Sequence, residues 1–312
     1  MRVRNFLVSG ALLAGLLSTP ILAQLDIISA VRSATSTGNF QSADLQLQRY
    51  KAQQGVSAEY LEALSWMARD ELAAKQLDAA DRHAKETQQL TLAELKHRGL
   101  DAEPHLPIAL GAAIEVQAQV AAGRGDRTQA AEFLRRQLAV YQSTSIAARL
   151  EKNLNLLTLE GKPAPALQTT QYLGPKPPTL TALRGQPVLI YFWAHWCMDC
   201  RAEAPLLAQL KSEYASKGLT LIGPTQLYGY AARGQEASPQ QELAYIEEVR
   251  KRFYSGLTDV PVPVSQKNFQ VYGASTTPTL VLLDRKGAVR LYHPGAMSYG
   301  ELKASLDRVL AQ

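Results

Sequence analysis

The chain of 312 residues holds two cysteines, Cys197 and Cys200, three positions apart. They close the run Phe192-Trp-Ala-His-Trp-Cys-Met-Asp-Cys200, in which an apolar stretch gives way to a turn and then to a helical pattern. A cysteine at a helix N-terminus faces unpaired backbone amides and the positive end of the helix dipole, which favour the thiolate over the thiol. The thiolate is the nucleophile of thiol–disulfide exchange. Cys197 is expected to attack a partner's disulfide and form a mixed disulfide, which Cys200, one helical turn along, then resolves. The pair is a poor structural staple, because secreted domains held by disulfides carry more cysteines at wider spacing. Zinc would need two further ligands, and this half of the chain offers only His195 and His293, with no second Cys-x-x-Cys. No metal or cofactor is expected beyond the redox-active pair itself.

Around the pair, Trp193 reads as a core residue and Trp196 as a surface platform. His195 either supports the thiolate when protonated or stands in solvent without that effect. His83, His97 and His105 lie among helical stretches with no ligand spacing and are assigned no chemistry. The segment 225–237, with Tyr228 and Tyr230, either covers a substrate or is packed down on the surface.

The elements that position these residues follow from pattern. Val188 to Phe192 is a continuous apolar run of buried-strand type that leads into the cysteines, and Leu219 to Gly223 and Thr279 to Leu283 are two more. Ser238-Pro-Gln-Gln and Ser298-Tyr-Gly-Glu carry capping boxes that open helices between and after them. Strands alternating with helices give an α/β sheet. Its domain begins near Glu160, because the prolines of Gly161-Lys-Pro-Ala-Pro-Ala and Gly174-Pro-Lys-Pro-Pro cannot continue a helix. Upstream, Leu25 to Leu159 is helical throughout. Tyr60, Leu61, Leu64, Met67, Ala68 and Leu72 recur at helical steps, as do Ala130, Phe133, Leu134, Leu138 and Tyr141. Ser42, Ser57, Asp78 and Asp126 are candidate N-caps, Lys96-His-Arg-Gly99 reads as a helix end, and about five or six helices are expected. Leu72 to Ala84 and Ala122 to Arg135 resemble antiparallel helix pairs of the tetratricopeptide kind, although about fifty rather than thirty-four positions separate them. A plain bundle and a degenerate repeat array both fit, and only the array offers a ready concave surface for a protein partner.

Length and an apolar content of 46% allow two domains with cores of their own. Arg2 and Arg4, the apolar run from Phe6 to Leu17, Pro20 and Ala23 describe a signal peptide over residues 1–23. Ile21 is bulky for the position before the cleavage site, so an uncleaved anchor is the alternative. No later stretch is read as a membrane span, and a protein located in the periplasm or secreted is expected. The formal net charge of +5 falls to +3 without Arg2 and Arg4, and the remaining charges of both signs are interspersed. That distribution excludes a nucleic-acid surface. The organisation read from sequence is therefore a signal peptide over 1–23, an all-α helical bundle or degenerate repeat over 24–159, and an α/β domain over 160–312.

From Gly161 to Gln312 the chain resembles the thioredoxin superfamily and, within it, the extracytoplasmic TlpA/ResA-like reductases. The resemblance rests on Gly161-x-x-Ala-Pro, the Phe-Trp-Ala-x-Trp-Cys-x-x-Cys block, Glu203 with Pro205, Thr277-Pro278-Thr279 ahead of a strand, and the turn Asp284-Arg-Lys-Gly287. It implies a thioredoxin-like fold with a central mixed sheet flanked by helices. It also implies that Pro278 is a cis-proline beside the cysteines, with the Thr277 backbone free to pair with a substrate segment near Trp196. Glu203 then handles the proton of the resolving thiol, a duty suited to a buried carboxylate of raised pKa. Two departures stand out. Tyr191 occupies the strand position where thioredoxin has a buried aspartate, which shifts acid–base duty to Glu203. Asp199 replaces the proline common in the Cys-x-Pro-Cys of the family, and its charge is expected to tune the redox potential.

The activity implied is reduction of disulfides in client proteins such as apocytochromes, with electrons from a membrane thiol donor. An oxidase or isomerase of the same fold would use the same residues, and a partner-binding helical adaptor on a thioredoxin-like scaffold is the reading of another class. Because every redox residue lies beyond Gly161, the helical half is expected to be dispensable for insulin reduction.

Overall fold

The computed structural model describes residues 26–311, so the signal-peptide reading of 1–23 lies outside the described residues. Seven α-helices fill the first half: α1 (Ile27–Ser36), α2 (Phe40–Gln54), α3 (Ala58–Ala73), α4 (Leu77–Glu94), α5 (His105–Gly123), α6 (Arg127–Tyr141) and α7 (Ala147–Thr158). The count exceeds the five or six read from sequence, partly because α1 and α2 are parted by a tight turn at Gly38, whose φ of 74° a residue without a Cβ adopts freely. The cap of α2 is Asn39, which accepts from the Ser42 amide, and not Ser42 itself. Ser57 caps α3 as its position suggested. Asp78 lies within the first turn of α4, and Asp126 stands at the start of α6 without a side-chain capping bond.

The principal contacts join each helix to the next and α1 to α3, α3 to α5 and α5 to α7. This is the layout of stacked helical hairpins. At its centre lies α5, which by length and composition is apolar enough to cross a membrane, contrary to the expectation that no stretch after the N-terminal one is a span candidate. In the fold, its Leu106, Leu110 and Ile114 are buried against the neighbouring helices.

The second half holds β1 (Tyr172–Leu173), β2 (Val188–Phe192), α8 (Met198–Glu213), β3 (Thr220–Ile222), α9 (Pro239–Phe253), β4 (Val262–Pro263), α10 (Gln266–Tyr272), β5 (Thr279–Leu283), β6 (Val289–Pro294) and α11 (Tyr299–Leu310). The main sheet runs β3-β2-β5-β6, with β2 and β3 parallel and the other pairs antiparallel, a mixed sheet. Both faces of β2 are buried, which explains its unbroken apolar run. Leu189 and Tyr191 face the layer of α8, α9 and α11, while Val188, Ile190 and Phe192 face α10. Ser238 and Ser298 both close capping boxes.

The two halves are packed together. Leu159 at the end of α7 belongs to the core of the second half, and the backbone of 161–162 bonds to Val289. Gly273, at φ 61°, lies so close to α7 that a Cβ there would come within 2.2 Å of the Lys152 nitrogen. Cutting at residue 161 would therefore strip a packing layer from the α/β domain, so the expectation that the helical half is dispensable loses its structural basis.

Candidate functional site

Strand β2 ends at Phe192, and the chain turns through Trp193 to Trp196 into α8. Trp193 is buried, its indole N–H donating to the Gly223 carbonyl at 2.9 Å, which fixes the turn as the core reading implied. Cys197 is the N-cap of α8, with an extended backbone, and its Sγ accepts from the Cys200 amide at 3.0 Å. The same amide is available to a Cys197 thiolate, so the helix start supplies the hydrogen bond and dipole that the nucleophile needs. In this structure Cys197 and Cys200 are joined in a disulfide with Cα atoms 5.3 Å apart. Both sulfurs belong to buried residues, but the flanking side chains are not buried: Trp196 is 45% exposed and Met198 72%. They flank Cys197 with exposed apolar surface.

The pairing of β2 with β5 sets Phe192 opposite Thr279, which brings Thr277 and Pro278 to the same end of the sheet as the cysteines. The Thr277–Pro278 peptide is cis, and the Pro278 carbonyl accepts from Gly295 at 2.8 Å. The Thr277 hydroxyl is buried without a hydrogen-bond partner.

Glu203 follows Cys200 by one turn of α8 and is 4% exposed. Its Oε1 accepts from the Met297 amide at 2.9 Å, while Oε2 is buried with no partner. Burial raises its pKa from 4.5 to about 7, the Met297 bond opposing and the Asp199 charge adding to the shift. A carboxyl group poised near neutrality, one turn from Cys200, is chemically suited to proton exchange with a thiol there. Tyr191 takes no part in acid–base exchange: it is buried, and its hydroxyl donates to the Cys200 carbonyl at 2.8 Å. Burial pushes its own pKa well up. Asp199 is exposed in the first turn of α8, where its carboxylate is near enough to act on Glu203.

His195 corrects both sequence readings. It is neither in solvent nor available to the thiolate as a cation. The ring is 1% exposed, its Nε2 lies 3.1 Å from Glu242 Oε1, and Tyr228, Tyr230 and Tyr245 surround it edge-on. Burial holds its pKa below the ordinary value despite Glu242, so at neutral pH it is an uncharged packing residue. Glu242 also accepts from the amides of Tyr228 at 2.6 Å and Gly229 at 2.8 Å. These bonds pin segment 225–237, and Tyr228 then packs edge-on against Trp196 with centroids 5.5 Å apart. Of the two readings of the segment, the packed-down one describes its base.

The sequence reading missed Met198 and Glu242. Met198 had a signal, being an apolar residue in the first turn of a helix whose start faces solvent. Glu242 had none beyond its capping-box helix, since its partners lie at residues 195, 228 and 229.

The profile of the thioredoxin-like domain matches residues 179–310. The thioredoxin-like protein YneN of Bacillus subtilis is 30% identical over 149 residues, covering 47% of this chain and 79% of that protein. The thiol:disulfide interchange protein DsbE of Pseudomonas fluorescens is 31% identical over 137 residues, 44% of this chain and 67% of the relative. The thiol-disulfide oxidoreductase ResA of Geobacillus thermodenitrificans is 26% identical over 132 residues, 42% and 67% respectively. Each alignment spans less than half of this chain.

Proposed function

The chain belongs to the thioredoxin-like family of thiol-disulfide oxidoreductases, and on that premise we propose that it reduces disulfides of client proteins outside the cytoplasm. The observation that carries the reading is the Cys197–Cys200 disulfide at the start of α8, with Cys197 capping the helix between exposed apolar side chains. In the reduced protein the Cys197 thiolate attacks one sulfur of a client disulfide. The client's sulfur–sulfur bond breaks, its other sulfur leaves as a thiolate, and a mixed disulfide forms. Glu203 then takes the proton from Cys200, whose thiolate attacks the Cys197 sulfur and releases the client's second thiol. Two electrons have passed to the client, and the protein is left with its own disulfide. A membrane thiol donor returns it to the dithiol. Cytochrome c maturation, where apocytochrome cysteines must be reduced, is the process that this reading favours. The leader-like residues 1–23 support a periplasmic or secreted location.

The direction of transfer is tested by equilibrating the pair against glutathione: a potential near roughly −270 mV is expected of a reductase, whereas one near roughly −120 mV would make the protein an oxidase. Cys197→Ser is expected to abolish insulin reduction and leave the fold intact, since no staple is removed. Comparable activity in that variant would remove Cys197 from its role.

A further inference from the structure

Beside the cysteine pair an open groove of about 270 Å³ runs between the two halves of the molecule. One wall is the rim of the site itself, Trp196 and Thr277, continued by Tyr228, Phe269 and Gln270. The opposite wall is the first turn of α7, including Ala148, and so belongs to the helical half. We propose that this groove receives the polypeptide that flanks the client's reactive cysteine, so that the helical half selects the substrate. The inference rests on the oxidoreductase reading and adds an unassigned surface to it.

Four observations identify a peptide strand of neutral or apolar side chains as the occupant. The groove is continuous with the site, since Trp196 immediately precedes the attacking cysteine. Among the described residues no Asp, Glu, Lys or Arg lines it, so a small ionic thiol finds no counter-charge from them. Its polar groups are hydroxyls and carboxamides among aromatic and alanine side chains, a mixture that suits alternating backbone and side-chain contacts. The start of α7 meets the groove without a side-chain cap: the Ala147 amide bonds to the Thr144 carbonyl, and no side chain answers the amides that follow. A peptide carbonyl answers an uncapped amide. The floor is stiff enough to discriminate, because Gly273 locks α10 against α7 and Phe269 is buried beneath it.

The test uses the full-length reduced protein and two disulfides with the same leaving group: thionitrobenzoate joined to free cysteine, and to the cysteine of a ten-residue neutral peptide. In each, the Cys197 thiolate bonds to the cysteine sulfur, the sulfur–sulfur bond to thionitrobenzoate breaks, and coloured thionitrobenzoate leaves with the electron pair. The wild type is expected to react about tenfold faster with the peptide, the discrimination of one well-filled side-chain subsite. Ala148→Trp, which fills the groove from the helical side, is expected to bring the ratio of the two rates close to one. If that variant does not fold, Gln270→Trp fills the groove from the other wall and is read in the same way. Equal rates in the wild type, or a ratio preserved in the folded variant, would overturn the inference and leave the oxidoreductase reading standing. Release from neither conjugate would overturn both.

Discussion

Two glutamates of the same layer, Glu203 on α8 and Glu242 on α9, are almost equally buried and serve opposite ends. Glu242 is surrounded by donors: two backbone amides and the His195 ring meet its two oxygens. Glu203 has one amide, and its second oxygen is left without a partner. A carboxylate satisfied on both oxygens is a fastening. A carboxylate left half-satisfied in an apolar layer gives up its charge more readily, and its pKa drifts to about 7. Burial alone therefore does not separate the two. The unmet hydrogen bond does.

The largest expected effect comes from cutting the fastening. Glu242→Ala leaves the Tyr228 and Gly229 amides and the His195 ring buried without their acceptor, and should cost about 3 kcal/mol or more in urea unfolding. Segment 225–237 should then exchange its amide hydrogens rapidly. A cost below about 1 kcal/mol would show that the segment is held by something else.

The second effect has the opposite sign. Because the folded pKa of Glu203 lies above its unfolded value of 4.5, the folded state binds more protons between about pH 4.5 and about pH 7, and stability falls as pH rises through that window. Glu203→Gln removes the loss, so the variant should be more stable than the wild type at pH 8, by about 1–3 kcal/mol, and equal to it near pH 4. Denaturation series at the two pH values decide this. A variant that is less stable at both would mean that the carboxylate is a fastening like Glu242.

The smallest effect concerns Asp199, whose exposed charge lies in the first turn of α8 and raises the pKa of Glu203. The same charge disfavours the Cys197 thiolate and makes the dithiol a stronger reductant. Asp199→Asn should lower the thiolate pKa by less than about one unit, because water screens the pair, and move the potential upward by less than about 30 mV. An unchanged or higher thiolate pKa, followed by absorbance, would leave Asp199 without redox influence.

What the sequence made legible was what depends on neighbours along the chain. Strands β2 and β5 match the expected runs residue for residue, because a strand buried on both faces favours apolar side chains, and the one polar member, Thr279, donates its hydroxyl to the Thr276 carbonyl at 2.6 Å. The capping boxes at Ser238 and Ser298 and the cysteine at the start of α8 are likewise local. His195 was not legible, because its partner lies 47 positions away and nothing beside it says that the ring turns inward. His105 and His83 follow the same rule. Each pairs with a buried glutamate, Glu62 at 2.6 Å and Glu71 at 2.7 Å, that its own helix does not supply. The contribution of α7 to the groove has the same origin, since Ala148 and Trp196 are brought together only by the packing of the two halves.

The proton at Glu203 is where the proposed chemistry is most directly exposed to test. Single-turnover reduction of insulin by the wild type and by Glu203→Gln, followed from about pH 5 to about pH 9, reads that proton through the chemistry it serves. The wild-type profile should carry an inflection near pH 7 that the glutamine variant lacks, with the variant slower above it. Superimposable profiles would contradict the claim that Glu203 handles the proton of the resolving cysteine.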